Sequence, residues 1–300
     1  MDNHLWGIDL GGTKIECVVV DSQTLEIKER QRIPTMGDQG YETVLHQIEK
    51  LIDQVSVSSG LKPKKIGIGT PGSINPDTRK LRNCNSVYLN GMTFQQDVQD
   101  LLGIPVSTSN DANCFVMSEY KLGVVSEQYP DASVVFGVIM GTGVGGGLVV
   151  NGDIINGRNG IGGEWGHNHL DDSGGMCYCG KMGCVEKVIA GPALEAYYKK
   201  LSGNSKKLKD IVSAYRDNID DSAHKTMERL FYNFGKAISC IINVIDPDVI
   251  VIGGGVGNID ELYTEGVKAA EQFVFSDYIK TAFVKPKYGD SSGVLGAAFL

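Results

Sequence analysis

The amino-acid sequence predicts an α/β protein of two lobes, and three observations lead to this. Segments with strand patterns alternate with segments of helical periodicity along the chain. A strand, a glycine-rich turn and a returning strand occur twice, in LWGIDLGGTKIECVVVD and in SVVFGVIMGTGVGGGLVV. The length of 300 residues suffices for one large domain or two of ordinary size. No low-complexity linker separates the halves, so we expect the boundary within helices near residues 115–125.

The first predicted lobe, residues 1–117, begins with three strands. These are LWGIDL, KIECVVVD and LEIKERQRIP. YETVLHQIEKLIDQVSV has apolar residues at helical spacing and predicts a helix. KKIGIGTPG predicts a strand entering a loop, FQQDVQDLLG a helix ended by Gly103, PVSTSND a strand and ANCFVMSEYKLG a helix.

The second predicted lobe, residues 118–285, repeats the opening and continues into a glycine-rich loop region and then helices. MERLFYNFGKAISCIINVI is the clearest of these helices, and DPDVIVIGGGV predicts a buried strand that enters a glycine loop. SSGVLGAAFL predicts a small-residue helix. We expect this tail, residues 286–300, to pack back on the first lobe.

Composition excludes several function classes. The net charge is −8 and no run of Lys or Arg forms a basic stripe, which argues against nucleic acid as the main partner. No stretch approaches the ~20 apolar residues that cross a bilayer, and the N-terminal residues lack the pattern of a signal peptide. Seven cysteines do not suggest a disulfide framework. We therefore expect a cytoplasmic protein without a membrane partner.

Glycine-rich turns follow three of the predicted strands and are candidate phosphate-binding loops. Successive glycines let backbone N–H groups point at one anion, and a threonine hydroxyl adds a donor. Asp9 stands at a strand end and could hold Mg²⁺ through water. The alternative is a set of ordinary β-turns; neither a Walker A loop nor a dinucleotide-binding unit is present. The candidate ATP and Mg²⁺ residues are Asp9, Gly11, Gly12, Thr13, Lys14, Gly141, Thr142, Gly143, Gly254 and Gly255.

A histidine and three cysteines have the spacing of a metal site. They are His167, Cys177, Cys179 and Cys184, in the pattern H-x9-C-x-C-x4-C. Three thiolates and an imidazole supply four ligands for a closed, structural zinc site. The alternative is three free buried cysteines and a core histidine.

Three acidic residues are candidates for chemistry on a polyol. Asp111 follows a predicted strand and could accept the proton of a sugar hydroxyl, although Asn-Asp at this place is also a common helix cap. Glu164 and Glu186 flank the cysteine loop and could accept hydrogen bonds from hydroxyl groups. Each could equally be a solvated surface acid.

Taken together, these motifs resemble the ROK family of sugar kinases. DLGGTK, NDAN, GTGVGGG, GGEWGH, CYCGKMGCVE and IDPDVIVIGGG stand in the order and spacing of that family. The resemblance implies an actin-like ATPase (ribonuclease H-like) fold, with ATP and sugar in a cleft between the lobes. It implies that Asp111 is the general base and His167 both a zinc ligand and a sugar ligand. The other implied sugar-binding residues are Gly72, Asn110, Glu164 and Glu186.

Within the family, three stretches are most similar to bacterial fructokinases that also accept mannose. They are PGSINPDTRKLRNCNSVYLNGMTF, EWGHNHL and KYGDSSGVLGAAFL. The resemblance therefore implies ATP-dependent phosphorylation of fructose at its primary hydroxyl, and a homodimer as the usual assembly. The alternatives are a glucokinase, an N-acetylhexosamine kinase or a non-catalytic sugar-responsive regulator. Because the glycine turns lie outside the cysteine loop, loss of zinc is expected to impair sugar binding before nucleotide binding.

Overall fold

The computed structural model describes residues 3–289 and 292–300, which form two compact units. Unit 1 comprises Met1–Pro130, Gly147–Gly162 and Tyr288–Leu300, and unit 2 comprises Asp131–Gly146 and Gly163–Lys287. The predicted boundary at residues 117 and 118 differs from this division. The helix after NDAN and the one following it stay with unit 1, and so does the segment from Gly147 to Gly162. In the described part of the chain, no helix is long and apolar enough to cross a membrane.

Unit 1 contains a five-stranded sheet in the order β3-β2-β1-β4-β7. β1 and β2 pair antiparallel, as do β2 and β3, whereas β1, β4 and β7 run parallel. Parallel neighbours need crossover connections, which the helices provide. The strands are β1 (His4–Leu10), β2 (Lys14–Asp21), β3 (Ile27–Pro34), β4 (Ile66–Thr70) and β7 (Val106–Asn110), with a separate pair β5 (Ser73–Ile74) and β6 (Leu81–Arg82).

The helices of unit 1 cover both faces of this sheet. They are α1 (Tyr41–Ser59), α2 (Phe94–Leu102), α3 (Asp111–Lys121), α4 (Val124–Gln128) and α11 (Ser292–Ala297). The apolar face of α1 packs with β1, β2 and α2 residues in one core cluster that includes Trp6, Ile48 and Phe94. Gly103 ends α2 in the left-handed conformation, as the sequence predicts.

The last helix lies directly on the backbone of the first sheet. A Cβ atom at Gly67 would lie 1.8 Å from the carbonyl oxygen of Ala297, so α11 can approach only because glycine stands there. Val294 and Leu295 are buried against Val18 and Val20. Ser291, the first residue of the predicted helix SSGVLGAAFL, lies outside the described residues.

The second sheet has the order β10-β9-β8-β11-β12. β11 is parallel to both β8 and β12, and all five of its residues are buried. Because both faces of this strand are covered, its sequence is one continuous apolar run, VIVIG. The strands are β8 (Val134–Met140), β9 (Val144–Val150), β10 (Asp153–Ile154), β11 (Val249–Gly253) and β12 (Ala282–Val284).

Unit 2 also contains a group of helices centred on the longest helix of the described chain. Its N-cap Asp220 accepts hydrogen bonds from the backbone N–H groups of Ser222 and Ala223, which explains where this helix starts. The helices are α5 (Val185–Ile189), α6 (Gly191–Ser202), α7 (Leu208–Arg216), α8 (Asp221–Ile245), α9 (Gly254–Gly257) and α10 (Glu265–Ala270).

Candidate functional site

Parallel pairing collects the candidate residues of unit 1 at one edge of its sheet. Asp9 of β1 is in register with Gly69 of β4, and Gly69 is in register with Ser109 of β7. The carboxyl ends of three parallel strands therefore meet, and the loops that follow them are the usual ligand-binding place of an open α/β sheet. The loops carry Gly11 to Lys14, Gly72 and the Asn110–Asp111 pair.

Asp9 is a half-buried carboxylate with glycine on two sides. A Cβ atom at Gly293 would lie 3.3 Å from its Cγ, and one at Gly69 would lie 3.6 Å from its Oδ1. Burial, followed by the negative charge of Asp111, raises the pKa of Asp9 to about 6. A nearby cation stabilises the ionised form of a carboxylate held in this way, which fits the predicted role of Asp9 in holding Mg²⁺ through water.

The Gly11–Lys14 turn is fastened by a residue that sequence reasoning missed. Thr35 is fully buried, and its Oγ1 donates to the carbonyl oxygen of Gly11 at 2.7 Å. The backbone N–H of Thr35 donates to the carbonyl oxygen of Thr13 at 3.0 Å. Both bonds occupy carbonyl groups of the turn, and the N–H of Gly11 donates within the turn to the carbonyl oxygen of Lys14 at 3.0 Å. Only the pairing of β3 with β2 brings Thr35 here, so no spacing in the sequence could have indicated it.

Asn110 is the N-cap of α3, the alternative that the sequence left open. Its Oδ1 accepts from the N–H of Ala112 at 2.9 Å, and its Nδ2 donates to the carbonyl oxygen of Gly72 at 2.9 Å. One amide hydrogen then remains for a sugar. Gly72 has φ +77°, and a Cβ there would lie 2.3 Å from the carbonyl oxygen of Arg82, so this position requires glycine.

Asp111 is the first residue of α3 and is exposed at the carboxyl end of β7. Its Oδ1 accepts from the N–H of Ala112 at 2.7 Å. The N-terminus of a helix favours a negative charge at this position. An ionised carboxylate is what a general base requires.

In unit 2, two of the glycine turns lie next to each other because β8 and β11 run parallel. Ile139 is in register with Gly253, so the Gly141–Gly143 turn and the Gly254–Gly255 loop leave the sheet at the same edge. A Cβ at Gly141 would lie 3.9 Å from the backbone nitrogen of Gly255. Gly254 has φ +82°, and a Cβ there would lie 2.3 Å from the carbonyl oxygen of Met140. This double turn is open on its outer side at Gly255, where an added Cβ would meet nothing within 4 Å.

The histidine and the three cysteines form one cluster in unit 2. The ligand atoms of His167, Cys177, Cys179 and Cys184 all lie within 4.8 Å of one another. The Sγ atoms of Cys179 and Cys184 are 3.6 Å apart, and Sγ of Cys177 is 3.6 Å from Nδ1 of His167. Two thiolates bound at about 2.3 Å to one tetrahedral zinc ion lie about 3.8 Å apart. The donor set and its spacing therefore fit Zn²⁺.

The other nitrogen of His167 has a partner that the sequence did not indicate. The hydroxyl oxygen of Tyr178 lies 3.0 Å from Nε2, and the two rings meet edge to face. Tyr178 stands between two of the cysteines, so the cysteine loop itself brings it there. His169, whose role the sequence left open, is exposed; its Nε2 lies 3.0 Å from Oδ1 of Asp172.

The two acids that flank the cysteine loop have different surroundings. Glu164 precedes the short 3₁₀ turn Trp165–His167, and its carbonyl oxygen accepts from the N–H of His167. Glu186 lies in the first turn of α5, where its Oε2 accepts from the backbone N–H of Val144 at 3.1 Å. The sequence separates the cysteine loop from the glycine turn, but the fold joins them. The expectation that zinc loss spares nucleotide binding stays a prediction, and this contact is the observation against it.

Comparison with known proteins gives one consistent result. Residues 5–300 match the model of the ROK family. The N-acetyl-D-glucosamine kinase of Yersinia enterocolitica is 36% identical over 306 residues, which cover 98% of each chain. The N-acetyl-D-glucosamine kinase of Vibrio vulnificus is 35% identical over 308 residues, again covering 98% of each.

Solved structures of the same family superpose on this chain. The ROK hexokinase of Thermus thermophilus superposes with a TM-score of 0.87 at 27% identity, over 98% of this chain and 96% of that one. A ROK family glucokinase from Streptomyces griseus, solved with glucose and AMPPNP, superposes with a TM-score of 0.77 at 25% identity, over 99% and 98% of the two chains.

The fold and the site define an ATP-dependent sugar kinase with the actin-like ATPase fold, which confirms the predicted fold class. The chain belongs to the ROK family. The predicted preference for fructose finds no support among the curated relatives described above, which are named N-acetyl-D-glucosamine kinases. The fructokinase-like stretches are short, whereas the identity to these relatives extends along nearly the whole chain.

Proposed function

We propose that this kinase phosphorylates N-acetyl-D-glucosamine at its primary hydroxyl group, with ATP as the phosphoryl donor. The observation that carries the proposal is the 33–36% identity, over 98% of this chain, to several N-acetyl-D-glucosamine kinases. Substrate choice among hexoses depends on small pocket differences worth about 1–3 kcal/mol, which family membership alone does not fix.

In this proposal Asp111 is the general base. The hydroxyl oxygen of the sugar attacks the γ-phosphorus, the bond between that phosphorus and the oxygen of the β-phosphate breaks, and ADP leaves. The carboxylate of Asp111 accepts the hydroxyl proton as the new bond forms. Its exposure at the carboxyl end of β7 and its helix N-terminus support this role.

Backbone groups are proposed to hold the phosphates. The Gly11–Lys14 turn has its carbonyl groups fastened by Thr35, and the Gly141–Gly143 and Gly254–Gly255 loops stand side by side in unit 2. Asp9 would hold Mg²⁺, which supplies charge neutralisation at the phosphates when it is bound. The raised pKa of Asp9 supports this assignment, since a cation removes the unfavourable charge.

In unit 1, the proposed sugar-binding residues are Asn110 and Asp111, with Gly72 fixing the amide of Asn110. In unit 2, they are Glu164, His167 and Glu186. Two of these residues, His167 and Glu186, lie at or beside the cysteine cluster. The cluster is proposed to hold a structural zinc ion, because four protein ligands leave no open position for chemistry. A closed site of this kind orders the loop that carries it.

A substrate panel tests the proposal. ADP release is coupled to a dehydrogenase reaction and followed with N-acetyl-D-glucosamine, glucose, mannose and fructose. The highest kcat/KM is expected for N-acetyl-D-glucosamine. A higher value for fructose would instead support the fructokinase assignment that the three stretches imply. If none of the four sugars stimulates ADP release, the result would favour a sugar-responsive regulator.

A further inference from the structure

The Gly141–Val144 turn makes several contacts with the segment that carries the cysteine cluster. The carbonyl oxygen of Gly141 accepts from the N–H of Gly191 at 2.9 Å, and that of Gly145 accepts from Nε1 of Trp165 at 2.9 Å. A Cβ at Gly166 would lie 1.9 Å from the carbonyl oxygen of Val144, so the two backbones are in direct contact. The shape of the turn therefore depends on the segment between residues 163 and 191.

Glu186 differs from the other residues of this set because it is the one carboxylate among these contacts. Its Oε2 accepts from the N–H of Val144 at 3.1 Å, and a Cβ at Gly143 would lie 2.6 Å from the same oxygen. The carboxylate therefore lies against the turn with no room for a methyl group between them. Its position in the first turn of α5, two residues after Cys184, ties it to the cluster.

We propose that Glu186 is a positioning residue for the nucleotide, holding the Gly141–Val144 turn in its binding shape through the Val144 amide. The inference rests on the proposed assignment of this turn to the phosphates of ATP. A carboxylate has two oxygens and accepts several hydrogen bonds, so Oε2 can hold the turn while Oε1 accepts from the sugar. One side chain then serves both substrates.

A consequence is that sugar and nucleotide affinities are linked inside unit 2. A sugar that orders the Glu186 side chain also orders the turn, and the nucleotide orders the carboxylate in return. Such coupling is reciprocal. Loss of the metal should consequently loosen the nucleotide turn as well as the sugar ligands.

The test compares two substitutions at Glu186 with Mg·ADP as the probe, measured by calorimetry without sugar. In Glu186→Gln the amide oxygen still accepts from Val144, so Mg·ADP affinity should stay within about twofold of wild type. In Glu186→Ala the acceptor is lost and the buried N–H of Val144 is left unpaired, so affinity should fall roughly tenfold. Both variants should bind sugar more weakly, because both lose the charge.

Gly143→Ala provides an independent arm, because its methyl group displaces the carboxylate while Glu186 stays in the chain. It should lower the affinity for Mg·ADP as Glu186→Ala does. The variant with both substitutions should bind Mg·ADP no more weakly than either single variant, since both remove the same contact. Zinc content and thermal unfolding of each variant verify that it is folded. Thr142→Ala tests the assignment of the turn itself.

The possible outcomes separate the two claims. Unchanged Mg·ADP affinity in Thr142→Ala would contradict the assignment of the turn and with it the inference. Weakened affinity in Thr142→Ala but wild-type affinity in folded Glu186→Ala would overturn the positioning role alone. Equal losses of Mg·ADP affinity in Glu186→Gln and Glu186→Ala would also overturn the positioning role, because the charge of Glu186 and not its contact with Val144 would then be responsible.

Discussion

The hydroxyl oxygen of Tyr178 lies 3.0 Å from Nε2 of His167, the nitrogen that is proposed to bind the sugar. With Nδ1 of His167 facing the sulfur of Cys177, Nε2 is the remaining polar atom of the ring. Tyr178 is 68% exposed, so its side chain can turn away without opening the core. In the proposed site, the hydroxyl group of Tyr178 would compete with a sugar hydroxyl for Nε2 of His167.

Tyr178→Phe removes that competitor. We expect the affinity for N-acetyl-D-glucosamine to rise about two- to tenfold, since sugar binding no longer breaks the hydrogen bond to His167. Zinc content and the KM for ATP should not change. Sugar titration by calorimetry checks the prediction. A weaker sugar affinity in the variant would mean that the tyrosine hydroxyl contacts the sugar itself.

Asp9→Asn should stabilise the ligand-free protein while abolishing turnover. The pKa of Asp9 is raised from 3.8 to about 6, so the folded protein binds this proton more tightly than the unfolded chain. Stability contributed by Asp9 is therefore full below pH 4, falls as the pH rises to about 6, and stays low above it. The shift corresponds to at most about 3 kcal/mol.

Thermal unfolding checks this prediction at two pH values. At pH 8 without nucleotide, Asp9→Asn should have a higher Tm than wild type, and the difference should shrink towards pH 4.5. Asp53→Asn, at an exposed position of α1, is the control and should leave the Tm unchanged at both. An Asp9→Asn protein that is less stable than wild type at pH 8 would refute the electrostatic argument.

Glu119→Ala should destabilise unit 1. The fully buried carboxylate of Glu119 accepts from the N–H of Val124, the N–H of Tyr288 and Oγ of Ser292, so it ties the C-terminal segment to α3. Its removal leaves buried donors without an acceptor, and we expect a loss of roughly 3 kcal/mol or more. Urea unfolding measures it, with exposed Glu228→Ala on α8 as the control. A loss below about 1 kcal/mol would be too small for this role.

Cys179→Ser should deplete the zinc. It removes one of the four ligand atoms of the cluster, and we expect sub-stoichiometric metal together with weaker binding of both sugar and Mg·ADP. Cys240→Ser is the matched control, because Cys240 is exposed on α8 away from the cluster residues in sequence. Metal analysis and two separate titrations check the result. A zinc-free variant with wild-type sugar affinity would reduce the metal to a remote structural role.

The sequence predicted the long and strongly patterned elements well. α1 was expected from Tyr41 and begins there, and α2 ends at Gly103 as its C-cap predicts. The buried strand predicted in DPDVIVIGGGV is confirmed as β11, whose five residues are all buried. Short helices such as α9 have too few residues for a periodicity to appear, and the sequence did not predict them.

Membership of the two units could not be deduced from sequence. The segment Gly147–Gly162 belongs to unit 1 because Asn156 contacts Ser109 and Asn113, and a Cβ at Gly160 would lie 2.5 Å from the carbonyl oxygen of Ile74. These are contacts between residues distant in sequence. Thr35 was missed for the same reason, whereas Tyr178 stands inside the cysteine motif and only its contact with Nε2 of His167 was missed. The homodimer stays a prediction.

Asp111→Asn tests the chemical assignment. The variant keeps the size of the side chain and loses the ability to accept the hydroxyl proton, so kcat should fall by roughly 10²–10⁴. Affinity for the sugar should change far less, because an amide oxygen still accepts a hydrogen bond. Steady-state kinetics and a binding titration measure the two quantities. A kcat within threefold of wild type would exclude Asp111 as the general base.

A competition between two sugars measures the proposed substrate preference in a single reaction. Equal concentrations of N-acetyl-D-glucosamine and fructose are incubated with the enzyme and limiting ATP, and the two sugar phosphates are quantified by mass spectrometry. At low conversion their ratio equals the ratio of the two kcat/KM values. We expect N-acetyl-D-glucosamine phosphate to predominate by at least tenfold. A predominance of fructose phosphate would contradict it.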